Sequence, residues 1–133
     1  MFLEIAPYLI YYFWKIKSAQ RLNLTELEEL QERRLRAIVR HAYESVPYYH
    51  KLFNSVKLKP EDIKSREDLV KIPITTKKML QELPMSERVS RGTDISKCIK
   101  GRTSGSTGQP LDVLFSRKEL SCRIAMQLSL IHI

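Results

Sequence analysis

Cysteine is scarce in this 133-residue chain: Cys98 and Cys122 stand far apart, with no Cys-x-x-Cys pair and no neighbouring pair of histidines. That spacing excludes a zinc finger and a disulfide framework. It fits a reducing, cytoplasmic compartment in which both thiols serve as small buried hydrophobes. Four glycines and six prolines are too few for collagen-like or low-complexity chains. Long apolar runs are missing as well. The most apolar stretch, Met1 to Trp14, is interrupted by Glu4 and Pro7 and falls short of the roughly 20 residues a membrane span needs. It has no basic segment ahead of it and no small-residue cleavage site behind it, which excludes a secretory signal.

What is present is the composition of a folded protein, 43% hydrophobic and 29% charged. That is too apolar for disorder and sufficient for one modest core, and the length excludes a multidomain enzyme. The charge is one-sided, +8 from 23 basic and 15 acidic residues, which calls for an anionic partner. From Arg88 onward, Arg88, Arg91, Lys97, Lys100, Arg102, Arg117, Lys118 and Arg123 face only Asp94, Asp112 and Glu119. A basic nucleic-acid-binding module is one rival reading of this surplus, although no recognisable module accompanies it.

Residues 1–22 read as a helix that either docks on protein or lies on a membrane surface. Tyr8, Tyr11, Tyr12, Phe13 and Trp14, followed by Lys15, Lys17 and Arg21, supply the rings and cations that suit an anionic interface at the inner face of a membrane. Residues 23–96 read as helical. Leu24, Leu27, Leu30, Leu35, Ile38, Val39 and Ala42 recur at the spacing of one helix face, and Thr25 with Glu28 is expected to form a capping box. Pro47 ends that pattern, and a short helix follows at Tyr48 to Ser55 with Tyr48, Tyr49, Leu52 and Phe53 packing inward. Pro60, Ser65 and Pro73 each announce a short helix or turn, and Pro84 to Ser96 reads as a surface connection turning at Gly92. His41 and His50 have no evident acid or nucleophile partner and are read as packing or surface residues; His132 carries no information.

Residues 97–133 change texture: a strand at Cys98 to Lys100, a loop from Gly101 to Pro110, a strand at Leu111 to Phe115, then a helix capped by Ser116. The chain ends inside that helix without a stop signal, so a truncated chain is expected. The fold class is therefore α/β, mainly helical first, then a β-hairpin carrying the loop and a terminal helix. Thr103-Ser104-Gly105-Ser106-Thr107-Gly108-Gln109-Pro110 is the one motif with chemistry in it. Two glycines let backbone N–H groups approach a ligand, hydroxyls add donors without bulk, and Pro110 stiffens the exit. Lys100 and Arg102 beside it are expected to attract a polyphosphate. A match to this pattern arises by chance in on the order of one in 10⁵ chains of this length. Neither the Walker pattern nor Gly-x-Gly-x-x-Gly fits, since no Lys-Ser or Lys-Thr follows and Thr107 stands where the second glycine belongs.

That loop resembles the phosphate-binding loop of adenylate-forming enzymes, the acyl-CoA synthetase superfamily. Leu35 to Tyr49, with Leu58 to Ile63 and Leu69 to Lys77, looks like the amino-terminal part of phenylacetate-CoA ligases and the related CapK-like proteins of capsular polysaccharide biosynthesis. The resemblance covers about Leu30 to Leu120. It implies that ATP and a carboxylic acid form an acyl adenylate, that coenzyme A then displaces AMP, and that Mg²⁺ assists. It further implies that Thr103, Ser104, Gly105, Ser106, Thr107 and Gly108 hold the β- and γ-phosphates. Leu111 stands where many superfamily members have lysine. The groups that hold adenine, ribose and acyl chain, and the catalytic lysine, belong to the missing carboxy-terminal part of such enzymes. The resemblance therefore implies no catalytic residue here and a fragment inactive by itself.

Overall fold

The computed structural model describes residues 2–103 and 110–131. In chain order they form α1 (Phe2–Ala19), α2 (Leu24–Ser45), α3 (Pro47–Ser55), α4 (Lys77–Glu82), α5 (Met85–Arg88), β1 (Ile99–Arg102), β2 (Asp112–Phe115) and α6 (Arg117–Ile131). Short 3-10 turns at Pro60–Asp62, Arg66–Lys71 and Ile95–Lys97 join them. The described residues are mostly helical, with one two-stranded antiparallel hairpin and a helix, α6, after it. Its length predicts a single core, yet the described residues cluster as two compact units: Met1–Leu24 with Asp94–Ile133, and Thr25–Thr93. The reason is topological. The first unit pairs helices from opposite ends of the chain, while the middle segment closes a small core of its own.

The middle unit is built on α2. The helix starts at Leu24, so Thr25 lies inside the first turn rather than capping it; Asn23, a residue type at least as good at capping, precedes the helix. Val39, Phe53, Leu58 and Ile63 form the buried cluster, with Leu35, Tyr43 and Ile72 packed against it. Leu24 and Ile38, read as part of the same apolar face, stay largely exposed, because the face that meets α3 is centred on Leu35 and Val39. Pro47 occupies the first turn of α3, where its missing N–H is not needed.

The end of α3 carries a feature with no glycine to announce it. Lys57 adopts φ 56°, its N–H donates to the Asn54 carbonyl at 3.1 Å, and the Leu58 N–H donates to the Phe53 carbonyl at 3.0 Å. These are the two hydrogen bonds of a Schellman cap, which turns Leu58 back onto Phe53 in the core. Beyond it, Asp62 accepts from the Lys59 N–H at 2.8 Å, and Asp68 accepts from Lys64 and Ser65 at 2.9 and 3.1 Å. Thr76 caps α4 through its hydroxyl, which accepts from the Met79 N–H. The segment after Pro84 is a surface connection but contains α5, held by a Lys51–Glu87 ion pair at 3.0 Å and an Arg91 N–H bond to the Ser45 carbonyl at 2.7 Å. Gly92 turns there with φ 78°.

In the other unit α1 packs along α6. Ser121, Ala125 and Ser129 are essentially fully buried; at four-residue spacing they form a stripe of small side chains against which α1 lies closely. The Ser121 hydroxyl approaches the Ile5 carbonyl at 3.5 Å, and Gln20 donates to the Ser129 hydroxyl at 2.9 Å. Low residue numbers meet low and high meet high, so the two helices run in the same direction. Cys98 and Cys122 are free thiols and only half-buried, less enclosed than expected. They sit on a hairpin approach and a helix flank, outside the buried stripe.

Candidate functional site

The hairpin places the candidate loop. Its register pairs Ile99 with Phe115, Lys100 with Leu114, Gly101 with Val113 and Arg102 with Asp112. Side chains alternate across such a pair, so Lys100, Arg102, Leu114 and Asp112 share one face while Ile99, Gly101, Val113 and Phe115 share the other. Ser116 ends the second strand and starts α6 by accepting from the Glu119 N–H at 3.1 Å, as the sequence indicates.

Beyond the last strand pair the hairpin narrows to a neck. The Thr103 N–H donates to the Leu111 carbonyl at 3.0 Å, and the Leu111 N–H donates to the Thr103 hydroxyl oxygen at 2.9 Å. The ladder is thus carried one step past the strands, with a side chain replacing the second backbone acceptor, and Thr103 and Leu111 are held together. Of the residues read as phosphate-binding, Thr103 is here, exposed at the neck. Ser104, Gly105, Ser106, Thr107 and Gly108 lie outside the described residues.

Arg102, expected to attract an anion, is already engaged. Its Nε donates to Asp112 Oδ1 at 2.8 Å across the hairpin, and this hydrogen bond raises the guanidinium pKa above its ordinary value. Both groups are exposed, so the pair adds little stability, but it offsets the arginine's charge at the base of the loop. Lys100 is exposed and forms no ion pair among the described residues. The sequence reading missed Asp112 and Leu111 as partners at the neck. A strand register alone, pairing 102 with 112, would have found the first. The second needed a side-chain acceptor that no periodicity reports.

The remaining ionisable candidates, His41 and His50, belong to the middle unit. His41 Nε2 lies 3.0 Å from the Ser90 hydroxyl, and His50 Nδ1 lies 2.9 Å from the Tyr43 carbonyl with its ring 4.7 Å from the Tyr43 ring. Both are structural contacts within the middle unit. Among the described residues no group of three or more His, Cys, Asp or Glu side chains could hold a metal ion. No helix among them is long and apolar enough to cross a membrane.

No protein-family model matches the chain. Its sequence is 34% identical over 106 residues to phenylacetate-coenzyme A ligase of Aromatoleum evansii, covering 79% of this chain and 24% of that protein. It is 30% identical over 114 residues to the enzyme of the same name from Escherichia coli, covering 80% and 24%. It is 31% identical over 102 residues to that from Thermus thermophilus, covering 76% and 22%. The chain spans about a quarter of the length of these curated relatives.

Proposed function

We propose that this chain, related in sequence to the phenylacetate-coenzyme A ligases, is the part of an adenylate-forming ligase that holds the phosphates of ATP. The observation that carries the reading is similarity to ligases of that name over 76–80% of the chain. The hairpin supports it physically. Thr103 and Leu111, which flank a sequence rich in hydroxyls and glycine, are hydrogen-bonded to each other in both directions at the end of the hairpin, and N–H groups and hydroxyls of this kind are the donors a polyphosphate needs.

In this reading Thr103 to Gly108 receive the β- and γ-phosphates. A carboxylate oxygen attacks the α-phosphorus, the bond to pyrophosphate breaks, and the loop stabilises charge on the departing pyrophosphate by hydrogen bonds. The thiol of coenzyme A then attacks the acyl carbon and AMP leaves. Mg²⁺ enters with the nucleotide, and no ligand to it is assigned to the described residues. The residues that select the acid and hold adenine are not among those of this chain, which binds phosphate without turning over.

The test is calorimetric titration of the chain with pyrophosphate and with ATP in the presence of Mg²⁺. Replacing Ser104 and Thr107 together by alanine removes two charge-assisted hydrogen bonds, and affinity should fall by about tenfold or more. Binding that is absent, or equal in both proteins, overturns the reading. Binding of duplex DNA that weakens steeply with salt and ignores the loop would favour the rival basic module.

A further inference from the structure

α1 is apolar on both of its long faces, and only one of them is covered within its unit. Ile5 is buried and Leu9, Tyr12 and Ile16 are partly buried on the side that meets α6. On the opposite side Ile10, Tyr11 and Trp14 are 60%, 54% and 65% exposed; at three- and four-residue spacing they form one continuous strip. A helix face of this kind normally lies against something.

The groups around the strip indicate what that is. The Lys17 ammonium stands 6.0 Å from the ring centroid of Phe13 at one edge of the strip, and the Lys15 ammonium flanks its other edge, 2.9 Å from the Tyr11 hydroxyl and 5.1 Å from its ring centroid. From the neighbouring helix the Lys118 ammonium stands 5.4 Å from the Tyr8 ring. The surrounding unit carries nine Lys and Arg against four Asp and Glu. Amphipathic rings edged by cations match a layer whose interior is apolar and whose surface is anionic, and no helix among the described residues can cross that layer.

We propose that the outer face of α1 docks onto an anionic lipid surface, with Ile10, Tyr11 and Trp14 inserted at headgroup depth and Lys15, Lys17 and Lys118 over the lipid phosphates. The helix lies in the plane of the surface. The surface holds the unit through α1, independently of what the loop after Thr103 binds.

Trp14 is the chain's one tryptophan, so its fluorescence reports this face alone. Titration of the full chain with vesicles of phosphatidylcholine containing phosphatidylglycerol should shift its emission to shorter wavelength, and pure phosphatidylcholine should not. Lys15→Gln with Lys17→Gln keeps the reporter and should weaken partitioning about 30-fold, at roughly one charge interaction lost per lysine. Ile10→Ser removes apolar area from an exposed position and should weaken it about tenfold. Unchanged far-ultraviolet circular dichroism verifies that each variant is folded. No shift on either vesicle overturns the proposal. So does a shift that appears without lipid and grows with protein concentration, which would assign the face to a second copy of the chain.

Discussion

The ring of Phe115 occupies the space that any side chain at position 101 would need: a Cβ on Gly101 would lie 2.5 Å from its Cε2 and 3.4 Å from Val113 Cγ2. Glycine is therefore required in β1 by a cross-strand neighbour, not by a turn. The Arg123 guanidinium stands 4.4 Å from the ring centroid. Gly101→Ala should cost about 1–3 kcal/mol by overpacking, read as a lower denaturant midpoint. Adding Phe115→Leu should recover part of that loss, because the two positions share one space. An unchanged midpoint in Gly101→Ala would show that the ring yields freely.

Lys57 stands in a left-handed conformation that L-residues adopt at a cost of roughly 1 kcal/mol. Lys57→Gly should raise stability by about 0.5–1 kcal/mol, the relieved strain exceeding the added freedom of the unfolded chain. Lys57→Val should lower it. Chemical denaturation of the three proteins gives the order directly.

Asp68 accepts from the Lys71 ammonium at 2.6 Å as well as from the Lys64 and Ser65 N–H groups. The lysine contact first, then the two backbone bonds, hold its carboxyl well below the usual aspartate range. A depressed carboxylate contributes stability above its unfolded pKa of about 3.9 that is lost as pH falls towards the folded value. The contribution of Asp68 to stability should therefore begin to fade near pH 4, and Asp68→Asn should be less stable at pH 7 while its stability falls less steeply below pH 4. Parallel acid profiles for the two proteins would remove Asp68 from the account.

Thr103 closes the loop's neck through its hydroxyl. Thr103→Val keeps the shape and the Thr103 N–H bond but leaves the Leu111 N–H without its acceptor. We expect a loss of about 1 kcal/mol in hairpin stability and, under the proposed function, weaker pyrophosphate binding. Thr103→Ser should restore both. A valine variant that binds as tightly as the parent would separate the neck from the loop's chemistry.

Ala125 is fully buried in the small-residue stripe against α1. Ala125→Leu should force α1 and α6 apart at a cost of about 1–3 kcal/mol, whereas Ser129→Ala, losing one bond from Gln20, should cost about 1 kcal/mol or less. Thermal melts that rank the two the other way would contradict this packing.

Local signals sufficed where local chemistry decides. Pro47 fixed the break between α2 and α3, Ser116 the start of α6, and the texture around Gly101 to Pro110 the hairpin. The Thr25 cap failed because Asn23, two residues earlier, can end the preceding turn equally well, and a pattern cannot choose between two good caps. The Schellman cap at Lys57 escaped because lysine gives no sign of a positive φ; the burial of Leu58 against Phe53 imposes it.

Apart from α5, the helices, together with the hairpin and the similarity to the ligases, were legible in the order of residues, since each rests on neighbours within a few positions or on a short ordered motif. Three facts were not. It took the folded chain to pair α1 with α6 across more than a hundred residues, to match Arg102 with Asp112 rather than leave it for an anion, and to make Phe115 demand glycine at 101. Those facts depend on register and on which faces meet. A one-dimensional pattern records that a face is apolar, but the partner that covers it is chosen by packing in three dimensions.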